Sequence, residues 1–400
     1  MLRLSSDETF HFELLKLLAH ASYGGSDIAE CLVAAGEIVP GDFESWYLAW
    51  NRRAERVLSQ IPTLQNPVSI RDALFRAATY SRAADFYLHG SDWDDPRIAA
   101  LWKRQTECFD KAIALLSVPG YRALVKADGF DVPVIVFPAT TEAEEGKRRP
   151  TIVLGNGYDG SMEELWHMHG AAAAERGYNV VVYEGPGQPS VRRDQGLGFI
   201  HNWEAVVSPV LDHLATLPFV DARKIGLLGY SMGGLLAARA AAFDHRVAAV
   251  FQIDGLYDFT RTPIFTSDQS LSSRFGDGRD EKDTQALLVN PKVPAGLRWL
   301  LGQGLWAFKV RTRAELLERM ARFSLVGVAE KIRCPVFVGD AADDMFFKGQ
   351  PQVMAEVLGE RATVVTFTGE DGAGEHCHVG TSRYSSQVMY EWFEEKVVNA

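Results

Sequence analysis

No apolar stretch in this 400-residue chain approaches the ~20 residues of a membrane-spanning helix, and the opening MLRLSSDETFHFELL carries acids where a signal peptide has a basic end. A cytoplasmic location with no membrane partner is the expectation. Basic residues are outnumbered: 41 Lys and Arg stand against 52 Asp and Glu, a formal charge of −11, so the chain repels polyphosphate and no nucleic-acid partner is expected. Cysteine is sparse. Cys31, Cys108, Cys334 and Cys377 form no CxxC pair, so neither a disulfide framework nor a zinc ribbon is indicated and reduced thiols are the default. What remains, at 47% hydrophobic and 23% charged, is an ordinary globular composition without repeats, long enough for one large domain and an accessory one.

Apolar residues recur at helical spacing through the first ~117 positions, most clearly at Phe43, Trp46, Tyr47, Trp50, Ala54, Val57 and Leu58 behind an N-cap at Asp42. Ser69 and Asp72 stand in capping-box spacing ahead of a second helix that runs to Leu88 and stops at Gly90. Asp95-Pro96 opens a third, reaching about Leu116. Residues 1–117 therefore read as an N-terminal helical lid domain. At Tyr121 the period becomes alternating, with Asp128-Gly129 as a hairpin signal. From Thr151 the buried-strand runs TIVLG, NVVVYE, KIGLLG, VAAVFQI, PVFVGD and ATVVTF alternate with helical stretches at about 161–176, 203–217 and 233–243. This predicts an α/β fold, a mostly parallel doubly wound sheet over 118–400, interrupted at about 256–328 by a helical insertion that joins the lid.

The most informative segment is KIGLLGYSMGG, a strand running into G-x-S-x-G at Gly229, Ser231 and Gly233, ahead of an alanine-rich helix. A serine hydroxyl is a weak nucleophile and must project from a tight strand-to-helix turn, where glycines remove side chains that would collide with neighbouring backbone. The N–H of Met232, at the head of that helix, is then an oxyanion donor. A base and an orienting acid are needed later in the chain, in the order Ser, acid, His. After Pro335–Asp340 the loop AADDMFF offers carboxylates, of which Asp344, nine positions after the proline that opens the strand, suits a turn returning to the sheet. Asp343 is the reserve, and Asp340 caps the strand. GAGEHCHVG follows the last strand and supplies His376. His378, two residues on, leaves a His-Cys-His metal reading open, although no further ligand cluster at zinc spacing accompanies it.

Gly155-Asn156-Gly157-Tyr158-Asp159-Gly160 is a literal G-x-G-x-x-G after a strand, and Glu184 stands 24 residues beyond Gly160 (184 − 160), near the ~20 of a ribose-binding acid. The same loop would serve a serine hydrolase as the source of a second oxyanion amide, at Tyr158. A dehydrogenase has no use for Ser231, Asp344 and His376 in hydrolase order, so no cofactor and no metal are expected. A third reading is a non-catalytic receptor built on such a scaffold.

The runs TYSRAADFYLHGSDWDDPRI, GNGYDGSMEEL, YEGPGQ, GYSMGG, VAEKIRCPVFVGDAADDMFFKGQPQ and GEHCHVG together resemble α/β-hydrolases with a large N-terminal helical extension. That group is typified by 2,6-dihydroxypseudooxynicotine hydrolase and the fungal heptaketide hydrolase of melanin pigment synthesis. The resemblance implies an α/β-hydrolase fold and a Ser-Asp-His enzyme, mapped onto Ser231, Asp344 and His376, that cleaves a carbon-carbon bond beside a carbonyl. Its substrate would be a small hydrophobic molecule with an aromatic or polyketide skeleton. Relatives that are esterases leave carboxylester, lactone and acyl-transfer chemistry open. Trp46, Trp50, Trp299, Trp306 and Phe308 read as core more readily than as pocket lining. A homodimer is compatible with so bulky an appendage, but no residue argues for it.

Overall fold

The computed structural model describes residues 2–90, 95–139 and 147–400, so Ser91–Asp94 of the N-terminal motif lies outside the described residues. The chain divides into two units, one of Met1–Tyr121, Ser267–Trp306 and Val310–Leu316, the other of Arg122–Thr266, Ala307–Lys309 and Leu317–Ala400. Only the middle of the 256–328 segment therefore groups with the N-terminal helices. Its ends stay with the second unit because they pair with each other: Phe259 N–H donates to Phe323 O at 3.0 Å and Leu325 N–H to Tyr257 O at 2.9 Å.

The first unit is built on α1 (Glu8–Ala19), α2 (Ile28–Glu37), α3 (Phe43–Gln60), α4 (Pro67–Asp85) and α5 (Pro96–Ile113). Asp42 caps α3 by accepting from Glu44 and Ser45 N–H, and Asp95 caps α5 by accepting from Arg97 N–H. For α4 the expected start at Ser69 and Asp72 is corrected. Asn66 caps it, accepting from Val68 N–H at 2.9 Å, because Pro67 takes the first helical position where its missing N–H is no loss. From Ala73 to Asp85 that helix is buried on every side except at Arg76, packed between α3 and α5 with alanines at 73, 77, 78, 83 and 84 that let its neighbours approach. Phe10, Phe43 and Trp46 each set their rings 4.7–5.0 Å from that of Tyr87, and the Trp46 indole donates to Ala83 O at 2.7 Å. Trp299, from the insertion, stacks on Phe86 at 4.6 Å and donates to its carbonyl. The tryptophans named from the sequence, and Phe308, are all buried core.

The second unit carries β1 (Tyr121–Lys126), β2 (Asp131–Phe137), β3 (Arg149–Gly155), β4 (Asn179–Tyr183), β5 (Val220–Tyr230), β6 (Ala249–Ile253), β7 (Val336–Ala341) and β8 (Ala362–Phe367), in the order β1-β2-β4-β3-β5-β6-β7-β8. β2 meets β4 antiparallel and β3 to β8 run parallel. Asp128-Gly129 makes the β1–β2 turn, with Gly129 at φ 82°. β4 and β6 are buried along their whole length, as strands covered on both faces require, whereas β8 at the edge alternates toward solvent. Parallel strands all end at the same edge, so the loops after β3, β5, β6, β7 and β8 are delivered to one place. Among the described residues no helix is long and apolar enough to cross a membrane.

Candidate active site

β5 ends at Tyr230 and the helix Met232–Phe243 begins two residues later, with Ser231 between them at φ 60° and ψ −127°. That conformation belongs to glycine, so a serine there is held against its preference, at ~1–3 kcal/mol. The flanking glycines explain how the turn closes. A Cβ on Gly229 would stand 1.9 Å from Gly233 O, and one on Gly233 would stand 2.7 Å from Asn156 O, so neither position admits a side chain. Ser231 N–H donates to Ile253 O at the end of β6, which ties the elbow to the neighbouring strand.

His376 arrives from the loop after β8. Its Nε2 lies 2.9 Å from Ser231 Oγ across 145 positions of sequence, and its Nδ1 lies 3.0 Å from Asp344 Oδ2. The loop reaches this position by an unusual backbone, with Cys377 at φ 57° and His378 at φ 56°, held by Tyr230 O–H donating to Cys377 O at 3.2 Å. Phe346 and Phe347 turn their rings nearly perpendicular to the imidazole, each at 4.9 Å. Of the loop carboxylates only Asp344 is buried and in reach. Asp343 is exposed, and Asp340 accepts from Gln352 and Thr366. The free oxygen of Asp344 accepts Phe346 and Phe347 N–H at 2.6 and 3.1 Å, which aims the carboxylate.

A second carboxylate was not foreseen. Asp254, the first residue after β6, is fully buried, and its Oδ2 lies 3.0 Å from the same Nδ1 while accepting Cys377 N–H at 2.6 Å. The signal that could have found it is its place: an acid directly after the apolar run VAAVFQI stands at the carboxyl edge of the sheet, as Asp344 does. Burial, then the charge of Asp344, pushes the Asp254 carboxyl up toward neutrality. Burial works against Asp344 too, but the His376 charge and its hydrogen bonds outweigh it and hold that acid well below the usual range. Burial likewise lowers His376, yet the two carboxylates prevail and the imidazole stands well above its ordinary value.

The loop after β3 abuts the elbow. A Cβ on Gly157 would lie 2.7 Å from Tyr230 O and 2.9 Å from Met232 N, so the absence of a side chain lets the two backbones touch one residue before Tyr158. The Tyr158 ring is buried, 6.4 Å from both Phe259 and Phe308. These glycines are thus accounted for by the protein's own packing. Gly160 is likewise filled, since its Cβ would strike the Asn156 side chain. Glu184 is fully buried with its two oxygens accepting Met162 N–H at 2.9 Å and Ser190 N–H at 2.6 Å, which leaves it no role on a ribose. Ligand atoms of Asp254, His376 and Cys377 lie within 4.8 Å of one another. They fit a metal poorly: both imidazole nitrogens already face protein groups, Nε2 the Ser231 hydroxyl and Nδ1 the two carboxylates. His378 turns its Nε2 toward Asp254 Oδ1 at 3.3 Å, on the carboxylate oxygen other than the one that faces His376.

Strand order, elbow and a late histidine together define the α/β-hydrolase fold. Residues 152–383 match the model of the alpha/beta hydrolase family, and the chain belongs to that family of hydrolases. It is similar to hydrolase acrC of Aspergillus aculeatus, 31% identical over 99% of this chain and 98% of the relative. It is also 32% identical to the 20-hydroxy-prefusarin hydrolase FUS2 of Gibberella moniliformis, with 98% of each chain covered. Among solved structures, 2,6-dihydroxy-pseudo-oxynicotine hydrolase superposes with a TM-score of 0.72 at 22% identity over 95% of this chain and 96% of its own, a likeness of fold.

Proposed function

We propose that the protein is a serine-dependent hydrolase that cleaves a carbon-carbon bond next to a ketone in a small hydrophobic substrate with an aromatic or polyketide skeleton. The observation that carries this is the line of contacts Ser231 Oγ to His376 Nε2 at 2.9 Å and His376 Nδ1 to Asp344 at 3.0 Å. His376 takes the hydroxyl proton as Ser231 Oγ bonds to the carbonyl carbon, while Asp344 keeps the proton of Nδ1 in place and balances the imidazolium. The N–H groups of Met232 and Tyr158 receive the oxyanion. When the carbon-carbon bond breaks, its electron pair leaves as an enolate or phenol-stabilised carbanion, which takes the proton from His376. Water then adds to the acyl-serine with His376 as base, releasing a carboxylic acid and restoring the serine.

Apolar surroundings support the substrate class: Phe346 and Phe347 flank the base, and Tyr158 lies among Phe259 and Phe308. So does a relative named for a prefusarin substrate. Ester, lactone and acyl-transfer chemistry share the first half of this path. The test is a panel of acyl phenols, β-diketones and lactones, with product masses measured for the wild type and for Ser231→Ala. A Ser231-dependent acid and shortened ketone or phenol are expected, and unchanged turnover in Ser231→Ala would reject the reading.

A further inference from the structure

The classical arrangement gives a catalytic histidine one carboxylate, and here there are two. Nδ1 of His376 carries one hydrogen at most, yet Asp344 Oδ2 and Asp254 Oδ2 both stand 3.0 Å from it. They come from neighbouring parallel strands. β6 and β7 pair through Gln252↔Val338, so Asp254 and the loop bearing Asp344 leave the sheet side by side. Their remaining contacts differ. Asp344 has the Phe346 and Phe347 amides, whereas Asp254 has the Cys377 amide and turns its other oxygen to His378 Nε2 at 3.3 Å. The titratable groups facing Asp254 are Asp344 from the loop after β7 and His376, Cys377 and His378 from the last loop, with His169 behind His378.

We propose that Asp254 and Asp344 act as one two-carboxylate acid on His376, making Asp254 a positioning residue that can hold and charge-balance the imidazole when Asp344 is lost. The inference rests on the serine-histidine reading above. Two buried acids in contact do not both ionise readily, so the pair retains a proton, and the better-donated partner, Asp344, carries the charge. Burial and that charge are what raise Asp254. Removing the charge of Asp344 removes the repulsion, and Asp254 then ionises against Nδ1–H from a distance it already occupies. If Asp254 served only to anchor the loop through Cys377 N–H, it would change stability and leave the titration of His376 untouched.

The test uses the full chain and needs no natural substrate: the second-order rate at which an alkyl fluorophosphonate modifies Ser231, followed against pH. Loss of a lone triad acid costs about 10⁴-fold in the trypsin-type case. Here Asp344→Asn is expected to lose no more than about 10²-fold, and the Asp344→Asn/Asp254→Asn double variant to fall to the full ~10⁴-fold loss. In Asp344→Asn the acid limb is expected to stay near its wild-type pH, because Asp254 then carries the charge, and in the double variant to fall by about 1 pH unit, because the imidazolium loses its last neighbouring carboxylate. An Asp344→Asn variant already at the full loss, with the double variant no slower and its limb no lower, would overturn the proposal. Should Asp254→Asn not fold, the residual rate of Asp344→Asn decides alone. Modification that persists in Ser231→Ala would instead remove the underlying serine reading, so the two failures are distinguishable.

Discussion

Replacing Ser231 by glycine should stabilise the protein relative to Ser231→Ala, the reverse of the usual order. Alanine removes the hydroxyl and its 2.9 Å contact to His376 but keeps a Cβ at φ 60° and ψ −127°, so the strain of the elbow stays. Glycine removes the same hydroxyl and the strain as well. The relief is ~1–3 kcal/mol, and the extra unfolded-state freedom of glycine subtracts ~0.5–1 kcal/mol. The difference between the two variants is then about 1 kcal/mol in favour of glycine, or roughly 1 °C in melting temperature for a chain of this size. Scanning calorimetry on both variants at one pH and scan rate measures it, and fluorophosphonate labelling should be absent from both. A glycine variant that melts below the alanine one by the ordinary ~0.5–1 kcal/mol would refute the reasoning, since the turn would then not be holding its serine against its preference.

Three further outcomes are expected. On the proposed mechanism, with the neutral imidazole as base, modification of Ser231 should rise with pH along a limb lying above that of an ordinary histidine, because the neighbouring carboxylates favour its charged form; replacing both Asp344 and Asp254 by Asn should move that limb down, as read from a pH–rate profile. Gly157→Ala should lose ~10²- to 10³-fold in turnover, the scale of one lost oxyanion donor, because its Cβ would stand 2.7 Å from Tyr230 O and 2.9 Å from Met232 N and force the loop off the elbow. Asp42→Ala should lower stability by ~0.5–2 kcal/mol through loss of the α3 cap while leaving the fluorophosphonate rate unchanged, as denaturant unfolding and labelling together would show.

Much of the architecture is written in local chemistry. Asp42 and Asp95 mark helix starts because a side-chain oxygen beside free N–H groups is a short-range requirement, met within three residues. Asp128-Gly129 marks the first hairpin for the same reason, and the buried apolar runs mark strands that must be covered on both faces. At the start of α4 two capping patterns lie three residues apart, and the proline at position 67 outweighs the later one. The insertion divides between the two units because 257–259 pair with 323–325, residues more than sixty positions apart, which no local pattern records.

By itself the sequence determined the strand-to-helix elbow, since glycines at 229 and 233 and a serine at 231 describe a turn whose demands are satisfied within a few residues. It also determined the fold class and placed Asp344 and His376 among the candidates. Only the tertiary structure decided that Asp344 rather than Asp343 turns inward to the imidazole, and that Asp254 joins it there. Those choices depend on the order of strands in the sheet and on which loops end at its carboxyl edge. Groups separated by 32 and 145 positions along the chain meet through the packing of whole elements, and no spacing between letters encodes that.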